Sequence, residues 1–148
     1  MQFLRQPNNY SCGPTSLTIT LQSLGFIDIN LDSFPEQTNG YSLEQLVDTA
    51  NQVDRVCCFA CPLVYPPQPF NLRNQMMSLR HSEDFRIILN YKNDEHPNGH
   101  HSPLISMCSE GVCIMDVSRP SHAYKVSMSW QCLATCMIDR GYSVIMSL

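Results

Sequence analysis

The 148-residue sequence has no apolar run approaching the roughly 20 residues that a membrane-spanning helix needs. It has no block of basic residues either. Nine Lys and Arg against thirteen Asp and Glu leave a net charge of −4, which argues against nucleic acid as the main partner and gives no sign of a membrane one. The opening MQFLRQPNNY lacks the charged start and apolar core of a secretory signal, so a cytoplasmic, reducing setting is expected. There is no internal repeat and no low-complexity segment. Cys58-Phe-Ala-Cys61 has no second C-x-x-C at zinc-finger spacing, and the βαβ order that would support a thioredoxin-like dithiol is missing.

What the chain does have is cysteine: Cys12, Cys57, Cys58, Cys61, Cys108, Cys113, Cys132 and Cys136. In a reducing compartment most of them are expected to be small buried apolar residues rather than disulfides, and no dedicated metal site is expected. Length and an apolar fraction of 43% fit a single domain, 1–148, with a real core.

Periodicity gives the elements. Pro14 suits a first helical turn, Leu17, Leu21 and Leu24 follow at helical spacing, and Gly25 stops the run. Cys12 is therefore expected just outside the N-terminus of a helix. Ser42 is expected to cap a second helix whose face carries Leu43, Leu46, Val47 and Ala50. Val56 to Phe70 reads as a short strand and a proline-rich turn, and Asn71 as the cap of a third helix bearing Leu72, Met76 and Leu79. From Phe85 the pattern turns to strands: FRIILNYK, PLISMC, VCIMDVS and YSVIMSL, with Ser-Glu-Gly at 109–111 as a hairpin turn. A last helix near Ser129 to Ile138 precedes the final strand. The fold class expected is α+β, N-terminal helices packed on a mostly antiparallel sheet.

A cysteine attacks as its thiolate, and a helix N-terminus favours that charge. A histidine must take the proton and a third group must orient the imidazole. The candidates are His81, His96, His100, His101 and His122. His100 stands in NGHHSPL at the mouth of an apolar strand, and Asp116 in IMDVSR near the end of the next. Counted from Glu110 they lie ten and six residues away, so they are not directly opposed and reach depends on twist and bulges. The order Cys, His, Asp with Gln6 ahead of the cysteine is that of papain-like enzymes, whose glutamine donates to the developing oxyanion. With the helix and an imidazolium beside it, Cys12 is expected to be the thiol most reactive at mildly acidic pH.

Two segments go further. GHHSPL followed by IMDVSR resembles the catalytic segment of phytochelatin synthases, Gly-His-x-Ser-Pro and then an apolar strand ending Asp-Val-Ala/Ser-Arg. Gln6…Tyr10-Ser11-Cys12-Gly13 resembles their opening glutamine and Tyr-Cys-Gly, Asn90-Tyr91 their strand before the histidine loop, and Arg140-Gly141-Tyr142 the start of their last strand. The resemblance implies a papain-like fold with Cys12 as nucleophile, His100 as general base and acid, Asp116 as orienting group and Gln6 in the oxyanion hole. It also implies Arg119, Arg140, Gly99 and Asn90 around the substrate. The implied reaction cleaves the Cys–Gly bond of glutathione or a γ-glutamyl peptide through a thioester, releasing glycine. No cofactor is required for the acyl-enzyme step, and a soft divalent metal (Cd or Zn) enters only as a metal-thiolate co-substrate. The stretch from Gly25 to Tyr41 is shorter than in the family, Pro120-Ser121-His122-Ala123-Tyr124 replaces its aromatic-proline run, and its cysteine-rich C-terminal region is absent. Hydrolysis is therefore expected to outrun transpeptidation. Two rivals remain: a papain-like peptidase with a different peptide or protein substrate, and a non-catalytic thiol-rich binder of soft metals. The oligomeric state is open, a homodimer included.

Overall fold

The computed structural model describes residues 1–63, 67–79 and 84–148; part of the proline-rich turn and His81 lie outside them. The chain opens with an extended segment and then α1 (Cys12–Ser23). After a 3-10 turn at Leu31–Ser33 come α2 (Leu43–Asn51), β1 (Val56–Leu63), α3 (Pro69–Met77), β2 (Phe85–Tyr91), β3 (His100–Met107) and β4 (Gly111–Met115). β5 (Lys125–Ser129), α4 (Trp130–Cys136) and β6 (Arg140–Ser147) complete it. The six strands form one antiparallel sheet in the order β1-β6-β2-β3-β4-β5.

Both faces of the sheet are covered, which explains why β2 reads as an unbroken apolar run rather than an alternating one. Ile87, Leu89 and Tyr91 join Leu72 and Met76 of α3 and Trp130, Leu133 and Met137 at α4 in one core. Ile88 points the other way, with Leu17, Leu21, Leu46, Val56 and Ile145. Each such fully buried Leu or Ile contributes roughly 1.5–3 kcal/mol relative to exposure. α1 is buried along Cys12 to Leu21, including four hydroxyl residues, so it runs through the interior rather than over the surface. α2 lies on the surface and starts on a capping box: Ser42 Oγ accepts from Gln45 N–H at 3.1 Å, and Gln45 Oε1 accepts from Ser42 N–H at 2.8 Å.

Three details differ from the sequence reading. Cys12 is the first residue of α1, with Ser11 as N-cap, rather than lying outside the helix. The third helix is capped at Gln68, not Asn71, because Pro69 occupies N1, where a missing N–H costs nothing. β5 was not anticipated. It is a sheet-edge strand whose residues alternate between exposed and half-buried, so Val126 and Met128 are its only sizeable apolar residues.

Candidate active site

Three elements supply the site. The start of α1 brings Cys12, which is 7% exposed, into a cavity of about 380 Å³ that is also lined by Asn90, Gly99, His100, His101 and Arg140. Gly13 lets this helix end sit against Tyr41, since a Cβ at Gly13 would come within 2.9 Å of the tyrosine Cβ. The Tyr41 carbonyl in turn accepts from His101 Nε2 at 2.8 Å.

His100 and Asp116 meet through a bulge. β3 and β4 pair Met107 with Val112 and Ser106 with Cys113, but then Leu104 with Ile114, so Ile105 is the extra residue. Continuing that register sets His100 opposite Ser118 and diagonal to Asp116, within reach of a ring and a carboxylate. His100 Nε2 lies 3.0 Å from Asp116 Oδ1. The same oxygen accepts from Ser118 N–H at 3.0 Å and Ser118 Oγ at 2.6 Å. Asp116 N–H donates to the Tyr124 carbonyl at 2.8 Å, which fixes the backbone there.

Burial alone would push Asp116 up. Hydrogen bonds from His100, His96 and Ser118 outweigh it and hold the carboxyl well below its ordinary range, so the group is ionised. An ionised carboxylate only accepts, so each imidazole facing it carries its proton on Nε2. That leaves Nδ1 of His100 as the nitrogen able to take a proton.

The nucleophile is different. Burial raises Cys12 above the ordinary thiol range, against the pull of the backbone N–H groups of His101, Gly13 and Cys12 itself. Burial also lowers His100, more than Asp116 raises it. The resting pair is therefore a thiol and a neutral imidazole, and the expected thiolate at mildly acidic pH is corrected. The N–H groups at the helix start favour the thiolate, but desolvation opposes the charge on Cys12 and on His100 alike. Cys58 shows the same force without a helix terminus: burial and Cys57 push it up to about 12. All eight cysteines are free thiols.

The fold is papain-like. The structure is similar to a C39-like peptidase from Bacillus anthracis, with a TM-score of 0.72 at 14% identity over 99% of this chain and 94% of that one. It is also similar to the peptidase domain of Streptococcus ComA, a bifunctional ABC transporter of a quorum-sensing pathway, with a TM-score of 0.67 at 12% identity over 99% and 98%. The same domain of Streptococcus mutans ComA bound to a small-molecule inhibitor gives 0.62 at 11% identity, over 97% of each chain. Neither a family model nor a curated protein sequence matches this chain.

Within this papain-like fold the two arginines part company. Arg140 crosses Gly99, whose positive φ of 97° and missing Cβ leave room for the guanidinium. It touches only neutral oxygens, Asn98 O at 3.3 Å and Asn90 Oδ1 at 3.5 Å, and has no carboxylate partner among the described residues. Arg119 lies outside the cavity lining, paired with Glu95 at 2.7 Å and 3.4 Å from Asp116 Oδ2. Asn90 Nδ2 packs 3.2 Å from Nε2 of the His101 ring. Gln6 is pinned next to Asp116 by its N–H, which donates to the Val117 carbonyl at 2.8 Å. Its Nε2 donates to the Asn8 carbonyl, and Gln6 is not among the cavity-lining residues.

One residue was not singled out from sequence. His96 Nε2 lies 3.1 Å from Asp116 Oδ2, and its ring stacks on that of His100 with centroids 3.7 Å apart. The H-x-x-x-H spacing reads as one face of a helix, but here Asn93 Oδ1 accepts from His96 N–H and closes a turn. The sequence carried no signal for that proximity.

Proposed function

We propose that this chain is a cysteine-dependent acyl hydrolase and transferase that cleaves glutathione or a similar γ-glutamylcysteinyl peptide at its Cys–Gly bond. The observation that carries this reading is Arg140, a guanidinium on the wall of the Cys12 cavity with no carboxylate of its own among the described residues. A fork of this kind suits a substrate α-carboxylate, and the likeness of GHHSPL and IMDVSR to phytochelatin synthases supports the same substrate class.

In the proposed reaction, Cys12 passes its proton to His100 Nδ1 as Sγ attacks the scissile carbonyl. Asp116 stabilises the imidazolium, so the charge that burial disfavours at rest is offset when it is needed. The oxyanion takes the Cys12 N–H at the start of α1, and the Gln6 amide on turning from Asn8. Collapse breaks the C–N bond, His100 returns the proton to the glycine amine, and a γ-glutamylcysteinyl thioester remains. Water or a second peptide amine, deprotonated by His100, then releases Cys12. Metal ions, where present, would enter as metal-thiolate substrate. A second reading, a peptidase acting on a larger peptide, is favoured by the likeness to C39-type peptidase domains.

Incubation with glutathione and measurement of free glycine tests the first reading. Glycine should be released by the wild-type chain and not by Cys12→Ala. Arg140→Lys should lower kcat/KM roughly tenfold to a hundredfold, because an ammonium cannot reproduce a charged bidentate contact, while Arg119→Lys should change it far less. No glycine release, with cleavage of longer peptides instead, would replace the first reading with the second.

A further inference from the structure

The imidazole of His96 belongs to no role described so far, yet it is held as carefully as that of His100. Its ring is parallel to the His100 ring within 3°. Tyr91 meets both edge-on, the His96 ring at 6.1 Å and 80° and the His100 ring at 5.8 Å and 82°. Its backbone is fixed by Asn93, and its side chain is 13% exposed. We infer that His96 is a positioning residue of the site: it holds one oxygen of Asp116 while the other holds His100, and its ring fixes the plane of the His100 ring.

His96 and His100 share one carboxylate. With Oδ2 engaged by His96 and Arg119, and Oδ1 by His100 and Ser118, the Asp116 carboxylate has no freedom to rotate away from the base. The stacked face of His96 opposes rotation of the His100 ring, which lines the Cys12 cavity. A proton on His96 puts a positive charge against the His100 ring, and a charged His96 lowers the tendency of His100 to take a second proton. The other titratable or charged groups around the stack are Tyr91, Glu95, Arg119 and Asp116, with Cys12, His101 and Arg140 on the cavity side.

A divalent cation is the rival use of the same cluster, since the donor atoms of His96, His100 and Asp116 lie within 4.8 Å of one another. Two features oppose it. Asp116 already accepts five contacts, one from the Arg119 cation 3.4 Å away. Parallel rings also aim their nitrogen lone pairs side by side rather than at one point.

This inference rests on the proposed roles of His100 and Asp116 but not on the identity of the substrate, so its test needs no turnover. In the ¹⁵N-labelled chain, with chelator present, the imidazole signals of His100 are followed from pH 4 to 8 in wild type, His96→Gln and His96→Phe. His100 should protonate at least about half a pH unit higher in both variants than in wild type, because the competing cation is gone. Identical His100 titrations in all three would overturn the inference. So would equimolar Zn²⁺ displacing both histidine signals of the wild type once chelator is removed, which would assign the cluster to metal. Where glycine release is observed, kcat should fall about tenfold in His96→Phe, which keeps the stack but not the donor, with KM little changed. His96→Gln should recover part of that loss by donating to Asp116; equal kcat in the two variants would count against the positioning role. Absence of glycine release alone would bear on the substrate and leave the titration result standing.

Discussion

Asp116 and the two imidazoles it holds use nearly every position open to them, whereas the helix carrying Cys12 runs through the interior with bare hydroxyls. On the strand side, one carboxylate gathers His96, His100, Ser118 and Arg119. On the helix side, Ser16 donates to the His101 carbonyl and Thr18 to the Pro14 carbonyl, but Thr15 Oγ1 and Thr20 Oγ1 are buried without a partner among the described residues, as is Gln6 Oε1 nearby. The strand side is thus preorganised around a fixed negative charge, which positions the base before any substrate arrives. The helix side carries a desolvation cost instead, and the raised thiol of Cys12 is part of it. Order on one side and unmet polarity on the other is a division that mutation can probe directly.

The largest effect is expected at Asp116. Asp116→Ala leaves two imidazoles and the Arg119 guanidinium without their shared acceptor, and should cost about 3–5 kcal/mol of stability by urea unfolding. Asp116→Asn, of nearly the same shape, should fold better yet lose on the order of 10³–10⁴ in kcat, as happens when a triad loses its orienting carboxylate. A loss of stability below about 1 kcal/mol for the alanine variant would mean that the strand side is not held by this charge.

Next comes pH. His101 is fully enclosed between Tyr41 and Asn90, and burial lowers its pKa from 6.5 to about 4. The unfolded chain takes up that proton near pH 6.5 and the folded chain only near 4. Its stabilising contribution is therefore complete above pH 6.5 and is lost as pH falls from there to about 4, roughly 3 kcal/mol in all. His100 is lowered too, by burial, and adds to the loss as pH falls below 6.5. Asp116 is lowered too, by its hydrogen bonds, and gives up its share only as pH falls below about 4, where the unfolded carboxyl protonates first. Unfolding free energies measured between pH 4 and 7 should show this slope, and His101→Gln should flatten it. A flat wild-type profile would place the imidazole charged inside the fold.

The smallest effect sharpens the helix side. Thr20 is fully buried and its hydroxyl has no partner among the described residues. Thr20→Val keeps the shape and removes the orphan, so stability should rise by about 1 kcal/mol with activity unchanged. A comparable loss of stability would show that the hydroxyl is satisfied after all.

Much of this molecule was legible one segment at a time. The Ser42 cap with Gln45 three residues on, the Pro14 turn and the runs of β2 and β6 are patterns of neighbours in sequence, and the structure forms them where those patterns lie. Pro69 was the local signal overlooked at α3. β5 gave a weak signal because an edge strand needs few apolar residues, and its pairing with β4 is made by backbone groups that any sequence supplies.

The sequence by itself determined the α+β class, the helix start that bears Cys12, and the strands that carry His100 and Asp116, because propensity, capping and periodicity act over a few residues. Only the tertiary structure decided that a bulge at Ile105 brings His100 diagonally onto Asp116, and that Arg140 rather than Arg119 lines the cavity. The same holds for His96, which a turn in the 93–99 loop delivers to the same carboxylate. Those outcomes depend on strand register and on which side chains claim a shared acceptor first. Both are settled by many weak contacts between distant segments, and no stretch of sequence contains them.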